Sequence, residues 1–398
     1  MNNKMWLILA IAVLNAVGLT IVIPLFPFLL GKYVPNNQIA LYLGVLISIY
    51  AACKFVMAPI MGGLSDHFGR KPILLFSLLC TAVGYFVLGV GGALWILFIG
   101  RIIDGISAGD ISALYAYIAD SSSGKQRAKF YGYLGAANGL GFMIGPAIGG
   151  LLGMKYPSLP FFIAGSVSIF TAIFIYFILP ETLEKEKRTK RITFQSFNII
   201  IHFNEIFAKC NTRRIIVLGS VFAIGLCLYQ SNIAVFVKNI FMWNPSQIGI
   251  LFSLIGVCDI ISRAILFPKL LNKLTEKNIG LSGLLLMSVG FLFVIMSYHY
   301  KAANLLWYAI VFITIGEGLF DPCYNNLLSH SVGDHQQGLL QGVNQSIQSL
   351  LYTIIPAASG IIYLYTPVAT YVIAAILMVV ACSFWGSFRY HVKSNELH

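Results

Sequence analysis

Gly62-Gly63-Leu64-Ser65-Asp66-His67-Phe68-Gly69-Arg70-Lys71 is a short polar break between two apolar runs, 39–61 and 73–92. Each run is long enough to cross roughly 30 Å of hydrocarbon as a helix. The two leading glycines permit a tight turn between such helices. Asp66 suits the positive end of a helix N-terminus, and Arg70 and Lys71 hold the loop on the cytoplasmic side. The segment therefore reads as the turn of a transmembrane helical hairpin. Working outward from it, the same pattern recurs at 5–30, 94–118, 130–153, 158–180, 215–237, 247–268, 279–299, 303–328, 338–364 and 367–388. The sequence predicts an all-α membrane protein with twelve transmembrane helices.

Composition agrees with that reading. The 398 residues are 58% hydrophobic and 10% charged, whereas a soluble domain carries about a quarter charged residues. The net charge of +12 would suit a nucleic-acid partner only if it were gathered on one surface. It is instead sorted by loop. Of the 26 Lys and Arg, 19 fall on the side bearing both termini, four on the other side, and three (Lys54, Arg101, Arg263) within spans. That asymmetry is the positive-inside rule, and it places both termini in the cytoplasm. The basicity sets topology and offers nothing to nucleic acid. The apolar run after MNNK is longer than a signal-peptide core, so it is read as a retained first helix in the inner membrane. Seven scattered cysteines show no CxxC or Cys/His cluster, and neither a disulfide, a metal nor a cofactor is expected.

One long break, 181–214, divides the spans into two sets of six. It opens as ETLEKEKRTKR and continues as ITFQSFNIIIHFNEIF, whose apolar residues suit a helix lying on the cytoplasmic surface. The expected organisation is a six-helix bundle over 1–180, a linker over 181–214 and a second bundle over 215–398. Ser48–Pro59 occupies the same place in its half as the stretch from Ser253, aligning Cys53 with Cys258 and Lys54 with Asp259. Paired halves of this kind place their substrate site near the midplane between them.

Further motifs follow in order. The fourth span carries Arg101-x3-Gly105-x3-Gly109, and the fifth Gly141-x3-Gly145-Pro146-x2-Gly149-Gly150. Pro24 and Pro27 follow Gly18 in the first span; Tyr117-Ile118-Ala119-Asp120, Leu179-Pro180-Glu181-Thr182 and Gln337-Gly338-Leu339-Leu340-Gln341-Gly342 complete the set. With the 62–71 segment, these resemble the signatures of the major facilitator superfamily, most closely its drug/proton antiporter branch and the tetracycline/proton antiporters. The resemblance implies two pseudo-symmetric six-helix bundles working by alternating access, with export driven by inward proton flow. It also implies gating roles for Gly62, Asp66, Gly69, Arg70, Asp120, Gly145 and Pro146. Asp66 would face the N-terminus of the eleventh helix and Arg70 the Asp120 carboxylate, latching the outward-facing state. Asn15 stands where such antiporters usually have an acid, and Lys54 where the tetracycline pumps tend to have a neutral polar residue. The substrate is accordingly read no more narrowly than a small drug-like or amphipathic molecule.

Eight ionisable side chains fall within spans: Lys54, Arg101, Asp104, Asp110, Asp259, Arg263, Glu317 and Asp321. Each costs roughly 2.5–3.5 kcal/mol at membrane depth, so partners or a wet cavity are expected. Arg101/Asp104 at i,i+3 and Asp259/Arg263 at i,i+4 share helix faces; they either neutralise each other as structure or take part in transport. Glu317 and Asp321 are acids one turn apart with no cation on their own helix nearby. If both stay uncompensated, one should hold a proton near neutrality, as a proton carrier requires. The alternative is that Lys54, Arg101 or Arg263 reaches across and keeps both ionised. Asp110 is the third proton-coupling candidate. Lys54 and Arg101, with Asn15, Asn138, Gln230 and Asn232, are candidate substrate contacts, although a singly placed amide more often bonds helix to helix.

The function expected is a proton-coupled exporter, binding a small molecule and protons within the bilayer as a monomer. The rival is export of an anionic metabolite such as a carboxylate siderophore, with nutrient import behind it. A membrane-embedded enzyme is disfavoured, because HExxH and P-loop motifs are absent from the sequence and no GxSxG falls on a cytoplasmic or external loop.

Overall fold

A computed structural model describes residues 3–107, 114, 116–120, 124–183, 188, 210–332 and 336–387. Helices α1 (Asn3–Thr20), α2 (Ile39–Phe68), α3 (Arg70–Val90), α4 (Leu94–Ile106), α5 (Gly124–Gly153) and α6 (Leu159–Ile178) form the first half. Helices α7 (Cys210–Phe241), α8 (Pro245–Ile261), α9 (Glu276–Tyr300), α10 (Asn304–Ser329), α11 (Gln337–Tyr365) and α12 (Ala369–Ser387) form the second. Among the described residues there is no strand. Eleven helices among the described residues are long and apolar enough to span a membrane. The span expected at 94–118 is described in part, as α4 and as helical residues at Leu114 and 116–120. The surface helix expected within 192–207 lies outside the described residues.

Local chemistry sets several helix ends. α8 begins at Asn244, whose side chain accepts from the Gln247 N–H while Gln247 returns a bond to the Asn244 backbone, with Pro245 at the first helical position. α1 gives way near Pro24 and Pro27 to a 3-10 turn, Ile23–Leu25, and a last helical turn, Phe26–Leu30; proline lacks the N–H that an unbroken helix needs. The outer faces stay apolar. Phe177 is 77% exposed and Phe170 62% on α6, positions that acyl chains cover in a bilayer.

The turn in the 62–71 segment needs a correction. Gly62 and Gly63 are helical and belong to α2, which runs to Phe68. The chain reverses at Gly69 alone, at φ 111°, where L residues are strained. A side chain at Gly69 would also strike the Glu181 carboxylate.

The two halves pack by one scheme. In the first, α1 meets α5 and α6, α2 meets α4, and α3 meets α4 and α6; adding six to every number gives the contacts of the second half. The halves meet through α2 with α11 and α5 with α8, pairs that the same operation exchanges. This is the two-bundle architecture expected from the sequence.

Candidate functional site

A cavity of about 490 Å³ lies between α2 and α11, with Tyr50, Lys54, Phe55, Gln345, Ser349 and Tyr352 in its wall. The Lys54 ammonium donates to Tyr50 Oη at 3.4 Å and stands 5.6 Å from that ring's centre. Lys54 thus stands in the cavity wall. Towards the Gly69 end, Gly62 on α2 and Gly342 on α11 have nothing within 4 Å of where a side chain would start. The interface between the halves is open there.

The opposite end is closed. Gly44 of α2 lies against the Pro356 backbone of α11, and Gly360 against the backbone at Ala40 and Leu41. Gly150 of α5 packs against Pro245 and Gly249, and Gly249 in turn meets the Pro146 carbonyl. None of these positions has room for a Cβ, so backbones touch where small residues let them. Gly141, Gly145 and Gly149, one turn apart on α5, press in the same way on Ala16 and Thr20 of α1 and on Ile21 just beyond it, and Thr20 Oγ1 donates to Gly141 O at 2.8 Å. Two polar bonds add to the closure. Lys238 Nζ donates to Pro27 O at 2.9 Å, and Asn239 Nδ2 to Asn36 O at 3.1 Å. Sequence reasoning missed this pair; Lys238 had entered only as one of the few cations on its side.

The acids of α8 and α10 converge on one guanidinium. Arg263 Nε lies 2.6 Å from Asp259 Oδ1, Nη1 2.7 Å from Asp321 Oδ2, and Nη2 4.0 Å from Glu317 Oε1. Of the two alternatives for Glu317 and Asp321, the cross-helix one is present: Arg263 reaches both, so they are not an isolated acid pair. Yet three carboxylates face one cation, leaving two negative charges uncompensated if all are ionised. Among the described residues Arg263 is the one cation within ion-pair distance of them. Glu317 is the most buried of the three, its side chain 19% exposed. Tyr352 in the cavity wall lies within electrostatic range of Glu317 and Asp321.

Backbone geometry aims Arg263. Residues Ser262–Leu266 form a π-turn, closed by Phe267 N–H on Ser262 O, and the helix resumes at Phe267–Leu271. Such turns recur at functional sites because they break helical register. Gly318, between the two acids on α10, leaves the space into which Ser262 projects.

Arg101 and Asp104 form the other expected pair at 3.0 Å, with Asp104 2% exposed. The guanidinium sits 4.1 Å from the Phe26 ring centre and 5.1 Å from that of Tyr50, a desolvated cation–π arrangement. Arg101 therefore ties α4 to the Phe26–Leu30 turn and to the Tyr50 edge of the cavity.

At the open end, Arg70 binds Asp66 at 2.6 Å, Asp120 at 2.9 Å and Ser65 Oγ at 3.1 Å. The Arg70–Asp120 bond named by the resemblance is present, but with this end of the interface open, so it does not by itself latch that end shut. Asp66 here pairs with Arg70. Glu181, noted only as part of the end of the sixth span, accepts from the backbone N–H groups of Arg70, Lys71, Thr182 and Leu183. It thereby caps α3 with a carboxylate. Tyr117 Oη donates to Pro180 O at 3.0 Å, holding the same corner.

The remaining candidates are scattered. Asn232 is fully buried and donates to Ser359 Oγ at 2.6 Å, a bond between α7 and α11. Asn15 is buried in α1, Asn138 is half-buried on α5, and Gln230 is exposed on α7; none is in the cavity wall. Asp110 lies outside the described residues. The cavity residues Tyr50, Gln345, Ser349 and Tyr352 carry no motif, and only Gln345 bears a side chain conspicuous at membrane depth.

The family model for the Major Facilitator Superfamily matches residues 8–356. Tetracycline resistance protein, class H, of Pasteurella multocida is 33% identical over 380 residues, covering 92% of this chain and 90% of that protein. Tetracycline resistance protein, class B, of Escherichia coli is 31% identical over 365 residues, covering 91% and 89%. Multidrug resistance protein 2 of Bacillus subtilis (strain 168) is 29% identical over 355 residues, covering 87% and 85%. Among solved structures, a D-xylose-proton symporter superposes with a TM-score of 0.75 at 15% identity, covering 99% of this chain and all of that one.

Proposed function

The chain belongs to the Major Facilitator Superfamily, and from that premise we propose that it exports a small drug-like or amphipathic molecule in exchange for protons. The observation that carries the reading is the imbalance at Arg263: three carboxylates and one cation in the membrane, next to a cavity open at one end. Leaving two net negative charges at this depth is costly, so the cluster holds a proton unless a cationic partner arrives. Relatives named for tetracycline and multidrug resistance support the substrate class.

The Gly69 end faces the cytoplasm, as the loop charges require, and the protein resides in the inner membrane. The open cavity is then the inward-facing state, in which substrate enters against Tyr50, Lys54 and Tyr352. The halves 1–180 and 215–398 rock about the 181–214 linker. Opening the far end separates Gly44 from Pro356 and Gly249 from Pro146, and closes the cytoplasmic end over Asp66 and Arg70. Protons loaded on Glu317 and Asp321 from outside are released inside as the cavity changes access. The exporter acts as a monomer.

Inverted vesicles holding a preformed pH gradient test this. Tetracycline or ethidium should collapse the gradient in wild type. Glu317→Gln and Asp321→Asn should abolish gradient-driven transport, while exchange at equal pH survives in at least one of them. Full proton-coupled export by both variants, together with its loss in Asp110→Asn, would move the coupling site to the fourth span and overturn the assignment.

A further inference from the structure

The second half holds a polar feature used by neither the cavity wall nor the Arg263 contacts. Besides Ser253 Oγ on α8, four buried atoms there have no hydrogen-bond partner among the described residues: Tyr229 Oη, Asn232 Oδ1, Tyr363 Oη and Tyr371 Oη. Each of these residues is 4% exposed or less. A buried polar atom left unpaired is strongly disfavoured, and native proteins usually satisfy it with ordered water when several polar groups share one site.

These four share one site. Asn232 bonds Ser359 on α11, and Ser359 Oγ donates in turn to Leu228 O at 3.3 Å, back on α7. Tyr363 lies one turn beyond Ser359 along α11. Phe236, one turn beyond Asn232, packs its ring centre 4.8 Å from that of Tyr371. Tyr371 is within electrostatic range of both Tyr363 and Tyr229, and Tyr229 is within range of Glu317. The groups thus run in a file. Tyr363 and Tyr371 stand near the closed end, where α11 finishes and α12 begins; Tyr229 and Asn232 come next; Glu317 ends the file at mid-membrane.

We propose that this file is a hydrated proton path from the outer face to Glu317, separate from the substrate cavity. Phenolic and water oxygens can each accept one proton while giving up another. A proton taken from external water therefore ends on a Glu317 carboxylate oxygen, with no net change along the way. The groups facing Glu317 are Arg263 and Asp259 from α8, Tyr229 from α7, Tyr352 from α11 and Asp321 on its own helix. Of these, only Tyr229 belongs to the file. The file lies wholly within the second half, so rocking of the halves leaves it intact. Coupling to substrate then falls on the handover from Glu317 to Asp321 beside Arg263.

The proposal rests on Glu317 being a proton carrier, so the test has two arms. X-ray hydroxyl-radical footprinting, which labels side chains touching ordered water, should mark Tyr229 and Tyr371 although they are buried. Phe291 and Phe320, equally buried in the same half, serve as controls. In proteoliposomes, Tyr229→Phe and Tyr371→Phe should each lower pH-driven tetracycline transport by about tenfold and leave tetracycline counterflow at equal pH unchanged. If the hydroxyls were merely unpaired, phenylalanine would raise the melting temperature and leave driven transport intact. Labelling no greater than the controls, or full driven transport in both variants while Glu317→Gln loses it, overturns the path. Should wild type itself show no pH-driven transport, the coupling reading fails instead, and footprinting alone decides whether water fills the file.

Discussion

Lys238→Met is expected to shift the protein away from the conformation seen here. In the closed outer end, Lys238 Nζ donates to Pro27 O at 2.9 Å and stands 5.3 Å from the Phe28 ring centre. A hydrogen bond from a charged donor contributes about 1.5–3 kcal/mol net, and partial exposure brings this one to the lower figure. The cation–π contact adds about 0.5 kcal/mol, much of which the methionine sulfur keeps against the same ring. The loss is thus about 1.5 kcal/mol, or roughly a twelvefold change in the ratio of outward-open to inward-open protein. Spin labels at Asn37→Cys and Met242→Cys, both exposed at the outer end, report that ratio by pulsed dipolar spectroscopy. The longer-distance population should grow in Lys238→Met and return towards wild type in Lys238→Arg. Identical distance distributions in all three proteins would refute the assignment of Lys238 as an outer latch.

Two further outcomes are expected. Asp66→Asn and Arg70→Ala should cut transport severely while insertion and folding persist, because the Arg70 bonds to Asp66 and Asp120 bias conformations and do not build the bundle; normal transport in vesicles would remove the gating role. Gly249→Leu puts a side chain into the Pro146 carbonyl and the Gly150 backbone. It should hold the outer end open, raising cysteine reactivity there, and unchanged reactivity would mean that the α5–α8 contact is not part of the gate.

The fold was legible because its causes are local: apolar runs long enough to cross a bilayer mark the spans, and the polar breaks between them mark the turns. The site was legible only in its ingredients. Asp259 and Arg263 could be paired from their spacing, but Arg263 and Asp321 lie 58 positions apart, and nothing in either segment announces the meeting. The π-turn that aims Arg263 leaves no clear mark in SRAIL, where an ordinary helix would read equally well. Gly62 and Gly63 misled in the opposite sense. Glycine permits a turn without imposing one, and α2 continues through both until Gly69 supplies a positive φ. Polar residues were also easier to see than to sort. Asn232 has the side chain of a ligand contact, yet its amide nitrogen is committed to Ser359.

The π-turn also divides α8 into two angular frames. It holds one residue more than an α-helix would over the same rise, so Phe267–Leu271 is out of phase with Pro245–Ile261 by about 100°. A single-residue deletion within 262–266 should therefore be absorbed without unravelling the span, since the excess residue is the one removed. The lower segment, with Lys269, would keep its face of the bundle, because the π-turn already absorbs the extra residue. Helix length would barely change, but the guanidinium would lose its fixed bearing on α10.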